Sequence, residues 1–334
     1  MRMKAHSYLF RTCLCLAVIL ALIGAAFTLS VNIGARQIAP DVIWRAILSY
    51  DSRDSEQVII RTLRLPRAIT ALAVGASFAV SGALMQAATR NPMASPSVLG
   101  INAGAALGLA IAMVLRPSAG FSETVLFSFG GAAFASAFIF GVGSLGSFGT
   151  SPVRLALTGT AIAALFNAFS QALAVYFKIS QDLTFWNAGG ISGVRPEQAA
   201  LLLPWTAAGL LLAIALSRSI TLLSLGDEVA SGLGGRTAWI RFFACVAVLI
   251  LAGSSVAVAG PIGFVGLVVP HGVRALVGVD YRRVIPISIL SGGLLVLLAD
   301  IVARLVNPPF ETPAGAVTAL IGVPFFIYLA TKKQ

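Results

Sequence analysis

Ten apolar runs leave this chain few folds to choose from. They cover approximately residues 12–33, 68–88, 96–115, 121–141, 155–177, 198–217, 238–259, 262–278, 284–303 and 314–330. A bilayer-crossing helix needs about 20 mostly apolar residues, so ten of them use about 200. A chain of 334 residues, 58% hydrophobic and only 10% charged, holds that number. The expected architecture is an all-α integral membrane protein of about ten transmembrane helices, forming one domain over 1–334. A secreted or cytosolic globule is excluded. The eighth run is the least regular, because Pro270 interrupts it and charge follows at once.

The net charge of +11 does not point to nucleic acid, since no basic stripe with interleaved aromatics occurs. Basic residues of a multi-pass protein gather in its cytoplasmic loops. With the N-terminus inside, ten spans put both termini in the cytoplasm. The inner segments then hold Arg2, Lys4, Arg11, Arg90, Arg154, Arg218, Arg236, Arg241, Arg274, Arg282, Arg283, Lys332 and Lys333. One outer segment breaks the rule: residues 34–67 carry Arg36, Arg45, Arg53, Arg61, Arg64 and Arg67. Cys13, Cys15 and Cys245 lie in or beside apolar runs without ligand-like partners and read as packing residues, so no metal site is expected. The N-terminal run is longer than a signal-peptide core and lacks a small-residue cleavage site, which makes it the first span.

The chain also repeats itself. Residues 75–82 read GASFAVSG and residues 253–260 read GSSVAVAG, each followed by a helix-interrupting proline, Pro92 or Pro270. The two octapeptides fall on spans two and seven, which cross in opposite senses, as inverted repeats of transporters do. Chance matching among small residues is the alternative.

A transporter needs an energy source. Ion-coupled carriers keep ionisable groups deep in the membrane, yet here Asp300 stands nearly alone, with Arg304 one helical turn away to pair with it. No GxxxxGK[ST] occurs, and GLGGRT does not fit GxGxxG, so this chain carries no recognisable nucleotide site. If ATP drives transport, another subunit binds it. The segment SLGDEVASGLGG, residues 224–235, suits contact with such a subunit. Gly226 breaks the preceding helix, Asp227 and Glu228 favour a new N-terminus, and Gly232 and Gly234 end it. The short helix that results offers Val229 and Leu233 to a groove in a partner. A solvated connecting loop is the alternative.

At this point the residues match a known family. The stretch LRLPRAITALAVGASFAVSGALMQAATRNPMASPSVLGINAGAALG resembles the iron–siderophore and cobalamin permeases of type II ABC importers. So do SLGDEVASGLG, AVAGPIGFVGLVVPHGVRALVGVDYRRVIP, LLADIVARL and ETPAGAVTALIGVPFF, in the same order, from about residue 60 onward. The resemblance implies a ten-helix subunit that binds no cofactor itself. Its partners would be a second permease copy, identical or related, two ATPase subunits holding ATP–Mg, and an extracytoplasmic binding protein delivering ferric siderophore. Haem and cobalamin stay open as cargo, and an ion-coupled carrier built around Asp300 stays open as a different class.

Residue by residue, the resemblance implies ATPase coupling at Gly226, Asp227, Glu228, Val229, Leu233 and Gly234. It implies docking of the binding protein at Arg64, Arg67 and Arg304, where a guanidinium fork suits a partner carboxylate. A cytoplasmic gate is implied at Asn91 and Met93 in one loop and at Thr150 and Ser151 in another. Asn167 and Gln171, four apart on span five, share a helix face and either line the conduit or hydrogen-bond a neighbouring helix. His271 reads as a packing residue.

Overall fold

The computed structural model describes residues 2–34, 38–144, 152–308 and 310–331. Among them the chain is helical, and each expected apolar run coincides largely with one principal helix. These helices are α1 (Arg2–Asn32), α2 (Ser55–Thr89), α3 (Ile101–Leu115), α4 (Phe121–Ser144) and α5 (Pro152–Tyr176) in the first half. The second half holds α6 (Pro196–Ser224), α7 (Thr237–Ala259), α8 (Val265–Val277), α9 (Tyr281–Val306) and α10 (Ala314–Thr331). Seven of these are long and apolar enough to cross a bilayer; α3, α8 and α10 are shorter apolar helices. At 1.5 Å per residue, the 15 residues of α3 reach about 22 Å, less than a bilayer core. The shortfall follows from the irregular segments before α3 and α8, where Pro92, Pro96, Gly260 and Pro261 keep the chain from winding.

The two halves share a pattern of long helix, irregular segment, short helix: α2 to α3, and α7 to α8. Both long helices contain one π-helical turn, Ile60–Arg64 in α2 and Leu249–Gly253 in α7. The matching octapeptides lie on these two helices, and in both their residues are buried.

Helix α2 is the hub. Every residue from Ala73 to Ala88 is buried, so its apolar surface is covered all round. In a membrane, close packing between helices rests on small residues rather than on the hydrophobic effect. Gly75 illustrates the point: a Cβ there would sit 2.1 Å from the Gly292 carbonyl oxygen on α9. The α3–α4 pair uses the same device, since a Cβ on Gly104 would lie 2.3 Å from the Gly131 carbonyl oxygen.

Two short helices occupy segments that had no expected structure. Pro40–Leu48 places Pro40 at its start and exposes Trp44 and Leu48. Ser180–Asn187 follows α5 and leads to Gly189 and Gly190, where Gly190 N–H donates to the Ala259 carbonyl at 2.8 Å.

Candidate functional site

Two clusters of charge lie along α2, one around Arg67 just after its π-helical turn and one at Arg90, where the helix stops. Arg67 and Arg90 are 23 residues apart on this helix, which at 1.5 Å per residue separates them by about 35 Å.

The Arg67 end holds a buried carboxylate. Asp300 on α9 is 1% exposed. Arg67 Nε donates to its two oxygens at 3.0 and 3.2 Å, and Arg67 Nη2 lies 2.9 Å from Oδ1. Arg304, one turn further along α9, donates from Nε at 3.0 Å and also from Nη2. The expected Asp300–Arg304 pair is therefore present, but it is half of a larger arrangement. Arg67 Nη1 lies 2.6 Å from Glu311, whose side chain is 45% exposed. Arg304 Nη1 donates to the Ser30 and Ile33 carbonyls at 2.9 and 3.2 Å, and Arg64 Nη1 to the Val31 and Asn32 carbonyls at 2.7 and 2.8 Å. These carbonyls belong to the last turn of α1 and the residue after it. Arginines thus satisfy a helix C-terminus that would otherwise leave orphan acceptors.

Sequence reasoning located Arg64, Arg67 and Arg304 but not their bonds within the chain. Glu311 was missed as well, although ETPAGAVTALIGVPFF contained it. Arg64, Arg67, Arg304 and Glu311 line one cleft of about 570 Å³, together with Phe310 and Gly193. Arg36 of this outer segment lies outside the described residues, and Arg45 and Arg61 are placed locally. Arg45 pairs with Asp41, and Arg61 stacks 4.5 Å from the Tyr50 ring while donating to the Ala46 carbonyl.

The Arg90 end holds the segment expected to contact a partner. Gly226 adopts φ +119°, open to glycine, and Asp227–Gly232 forms a short helix. Asp227 and Glu228 fill its first turn, as expected from the dipole. Leu233 caps its C-terminus and Gly234 follows at φ +80°. Ala230 is buried against the body, whereas Val229 and Leu233 are 47% and 65% exposed, and Leu225 and Trp239 are exposed nearby. The base of this element is anchored. Thr221 near the end of α6 accepts the Tyr281 N–H at 3.0 Å, and Asp280 caps α9 by accepting the Arg282 N–H at 3.0 Å. Partial burial pushes the Asp280 carboxyl up, but the Arg282 backbone and side chain outweigh it and hold the group below its usual range.

The first expected gate loop begins where α2 ends. Arg90 closes the helix in the left-handed region at φ +51°, and Asn91 Oδ1 accepts the Met93 N–H at 2.9 Å, a turn that fixes the loop. Met93 borders a cavity of about 430 Å³ with Phe78, Asn102, Phe264 and Phe326. Phe264 was not singled out from sequence. It is a non-glycine residue at φ +66° and opens α8, and a Cβ on Gly322 of α10 would lie 2.2 Å from its Cβ. Phe264 and Met93 thus line the same cavity. Thr150 and Ser151 lie outside the described residues.

Asn167 and Gln171 share an exposed face of α5. Among the described residues neither side chain hydrogen-bonds another helix, and both amides are exposed. His271 packs edge-on to Phe325, with ring centroids 5.7 Å apart, in keeping with a packing role. Among the described residues no cluster of three or more His, Cys, Asp or Glu could hold a metal ion.

The family model of the FecCD transport family matches residues 19–332. The chain belongs to this family. Among FecCD relatives, it is 47% identical over 306 residues to the iron(3+)-hydroxamate import system permease protein FhuB of Bacillus subtilis, covering 92% of this chain and 80% of that one. It is 42% identical over 311 residues to the iron-uptake system permease protein FeuB of the same organism, covering 93% of each. Among solved structures, an inward-facing metal-chelate type ABC transporter aligns over 96% of this chain and 100% of that one, with a TM-score of 0.83 at 28% identity. The all-helical architecture expected from sequence is therefore that of a FecCD permease.

Proposed function

We propose that this chain is the membrane-spanning permease of an ATP-driven importer and forms the pathway for a ferric siderophore of the hydroxamate or related class. The observation that carries the reading is the short helix Asp227–Gly232, which is bound to the body on one side and exposes Val229 and Leu233 on the other. An apolar pair on a short exposed helix suits a groove in a soluble partner. With no nucleotide motif in this chain, that partner is a pair of ATPase subunits carrying ATP–Mg. A second permease, identical or related, completes the pathway, and Asn167 and Gln171 face it or the conduit between the two.

Both termini lie in the cytoplasm in this reading, and the protein resides in the bacterial plasma membrane. The Arg67 end faces outward, where an extracytoplasmic binding protein docks. Arg64 and Arg304 are held by carbonyls and by Asp300, so Arg67 offers the most exchangeable valence: a carboxylate of the binding protein competes with half-exposed Glu311 for its Nη1. Ion coupling through Asp300 is disfavoured by the same geometry, because two arginines hold a carboxylate that is almost wholly buried.

The test is purification of the tagged protein in mild detergent, with mass spectrometry of what accompanies it. A variant with residues 226–235 replaced by a flexible linker runs in parallel. An ATPase subunit that accompanies the native chain and is lost from the variant is the expected result, together with uptake of a radio-iron-labelled ferric trihydroxamate by cells expressing the native chain. Absence of any ATPase from the native preparation overturns ATP coupling, and uptake of haem or cobalamin alone reassigns the cargo.

A further inference from the structure

The coupling helix and the Asn91–Met93 loop are far apart in sequence but share one carboxylate. Asp227, the first residue of the short helix, has its Oδ2 3.3 Å from Arg90 Nη2. Arg241 on α7 donates from Nη2 to both Asp227 oxygens, at 3.0 and 3.3 Å. The same Arg241 donates from Nε to the Ala88 carbonyl at 3.2 Å, in the last turn of α2. Arg90 Nη1 lies over Gly226, 3.7 Å from where a Cβ would project. Two guanidiniums thus tie one end of the coupling helix to the end of α2 by two routes, one through the Arg90 side chain and one through the Ala88 backbone.

Arg90 is also the residue from which the loop departs. Its left-handed backbone turns the chain out of α2, and Asn91, Pro92 and Met93 follow directly. A shift of Asp227 pulls on Arg90 and, through Arg241, on Ala88. Helix α2 is buried from Ala73 to Ala88 and close-packed on α9, so its body resists that pull. The displacement is taken up at its free end, in the loop bearing Met93.

We infer that Arg90 and Arg241 are positioning residues which, through Asp227, carry movement of the coupling helix into the Asn91–Met93 loop. The inference rests on the importer reading above. Neither arginine needs to touch cargo or nucleotide; both act through Asp227. Charge-assisted pairs on planar guanidiniums hold direction as well as distance, which is what transmission of a displacement requires.

The experiment uses the complete purified complex with Met93→Cys. Maleimide labelling of residue 93 is quantified by mass spectrometry with and without ATP and vanadate, so that the native cysteines do not interfere. In the otherwise native chain, labelling is expected to depend on nucleotide. Arg90→Ala and Arg241→Ala are each expected to weaken that dependence, and the double variant to abolish it, while the ATPase still co-purifies and hydrolyses ATP. Asp227→Glu, which keeps the charge that both arginines meet, is expected to retain the dependence. A merely structural pair would lower complex yield without erasing the nucleotide response of what assembles. If labelling responds to nucleotide in the native background and responds equally in the Arg90→Ala/Arg241→Ala double variant, the transmission inference is wrong and the importer reading stands. If an ATPase co-purifies but residue 93 never responds, the inference is also wrong, because this loop does not move. If no ATPase is present at all, the importer reading fails and the inference falls with it.

Discussion

Replacing Asp300 by Asn tests whether this carboxylate is structural. The substitution keeps shape and removes charge. It leaves the Arg67 and Arg304 guanidiniums facing one neutral amide in a site where the carboxylate was 1% exposed. Removing one partner from a buried ion pair costs about 3–5 kcal/mol, chiefly because the remaining charge is left uncompensated. Glu311, on the other side of Arg67, is 45% exposed, and an exposed pair contributes about 0–1 kcal/mol. At about 2 °C per kcal/mol for a chain of this size, Asp300→Asn should lower the apparent Tm of the detergent-purified protein by about 6–10 °C. Glu311→Gln should lower it by no more than about 2 °C. Intrinsic-fluorescence melting of the two variants beside the native chain gives the comparison. Combining Asp300→Asn with Arg304→Leu removes one of the two stranded charges and should recover part of the loss. Equal small shifts for Asp300→Asn and Glu311→Gln would refute the structural account. So would intact stability with transport abolished, since that outcome makes the carboxylate a chemical participant.

Three further outcomes follow from named contacts. Glu311→Gln should tighten docking of the binding protein, because it removes the internal competitor for Arg67, and the affinity should fall as salt rises; titration in nanodiscs at two ionic strengths reads both. Val229→Asp combined with Leu233→Asp should abolish ATPase co-purification with an unchanged apparent Tm, since both side chains are largely exposed in the isolated chain. Gly75→Ala should cost about 1–3 kcal/mol by overpacking against the Gly292 carbonyl, seen as reduced yield of monodisperse protein on size exclusion, whereas Gly24→Ala should be silent because nothing lies near it.

What was legible in the sequence depended on how local its cause was. Apolar length alone located all ten principal helices, and the gap between runs seven and eight falls at Gly260 and Pro261. Gly226 and Asp227 announced the short helix Asp227–Gly232 because a helix start is a local event, written in a glycine at positive φ and acidic residues in the first turn. Asp300 and Arg304 were readable as partners for the same reason, being one turn apart. The rest is long-range. Arg67 meets Asp300 across 233 residues and Glu311 across 244, and no spacing rule connects them. Ser180–Asn187 was hidden because SQDLTFWN is polar enough to pass for a loop. Gly104 stood in a GxxxG match that a chain with 33 glycines produces freely, yet it is a true contact against Gly131.

The long-range links decide how the parts act together. Just after its π-helical turn and again where it stops, α2 carries an arginine that pairs with carboxylates from elsewhere in the chain: Asp300 and Glu311 at Arg67, Asp227 at Arg90. Between them lies a helix without a solvent face from Ala73 to Ala88, locked to α9 through Gly75 and Gly292 and to α8 through Gly82 and Gly266. Such a helix transmits force poorly by bending and well by staying rigid, so motion concentrates where it stops, at Arg90 and the loop beyond. Docking at one end and nucleotide at the other would then meet on a single rigid strut. On a strut that does not bend, Glu311→Gln should leave the nucleotide dependence of Met93 labelling intact while Asp227→Asn removes it, because about 35 Å and a close-packed interior separate their partners on α2.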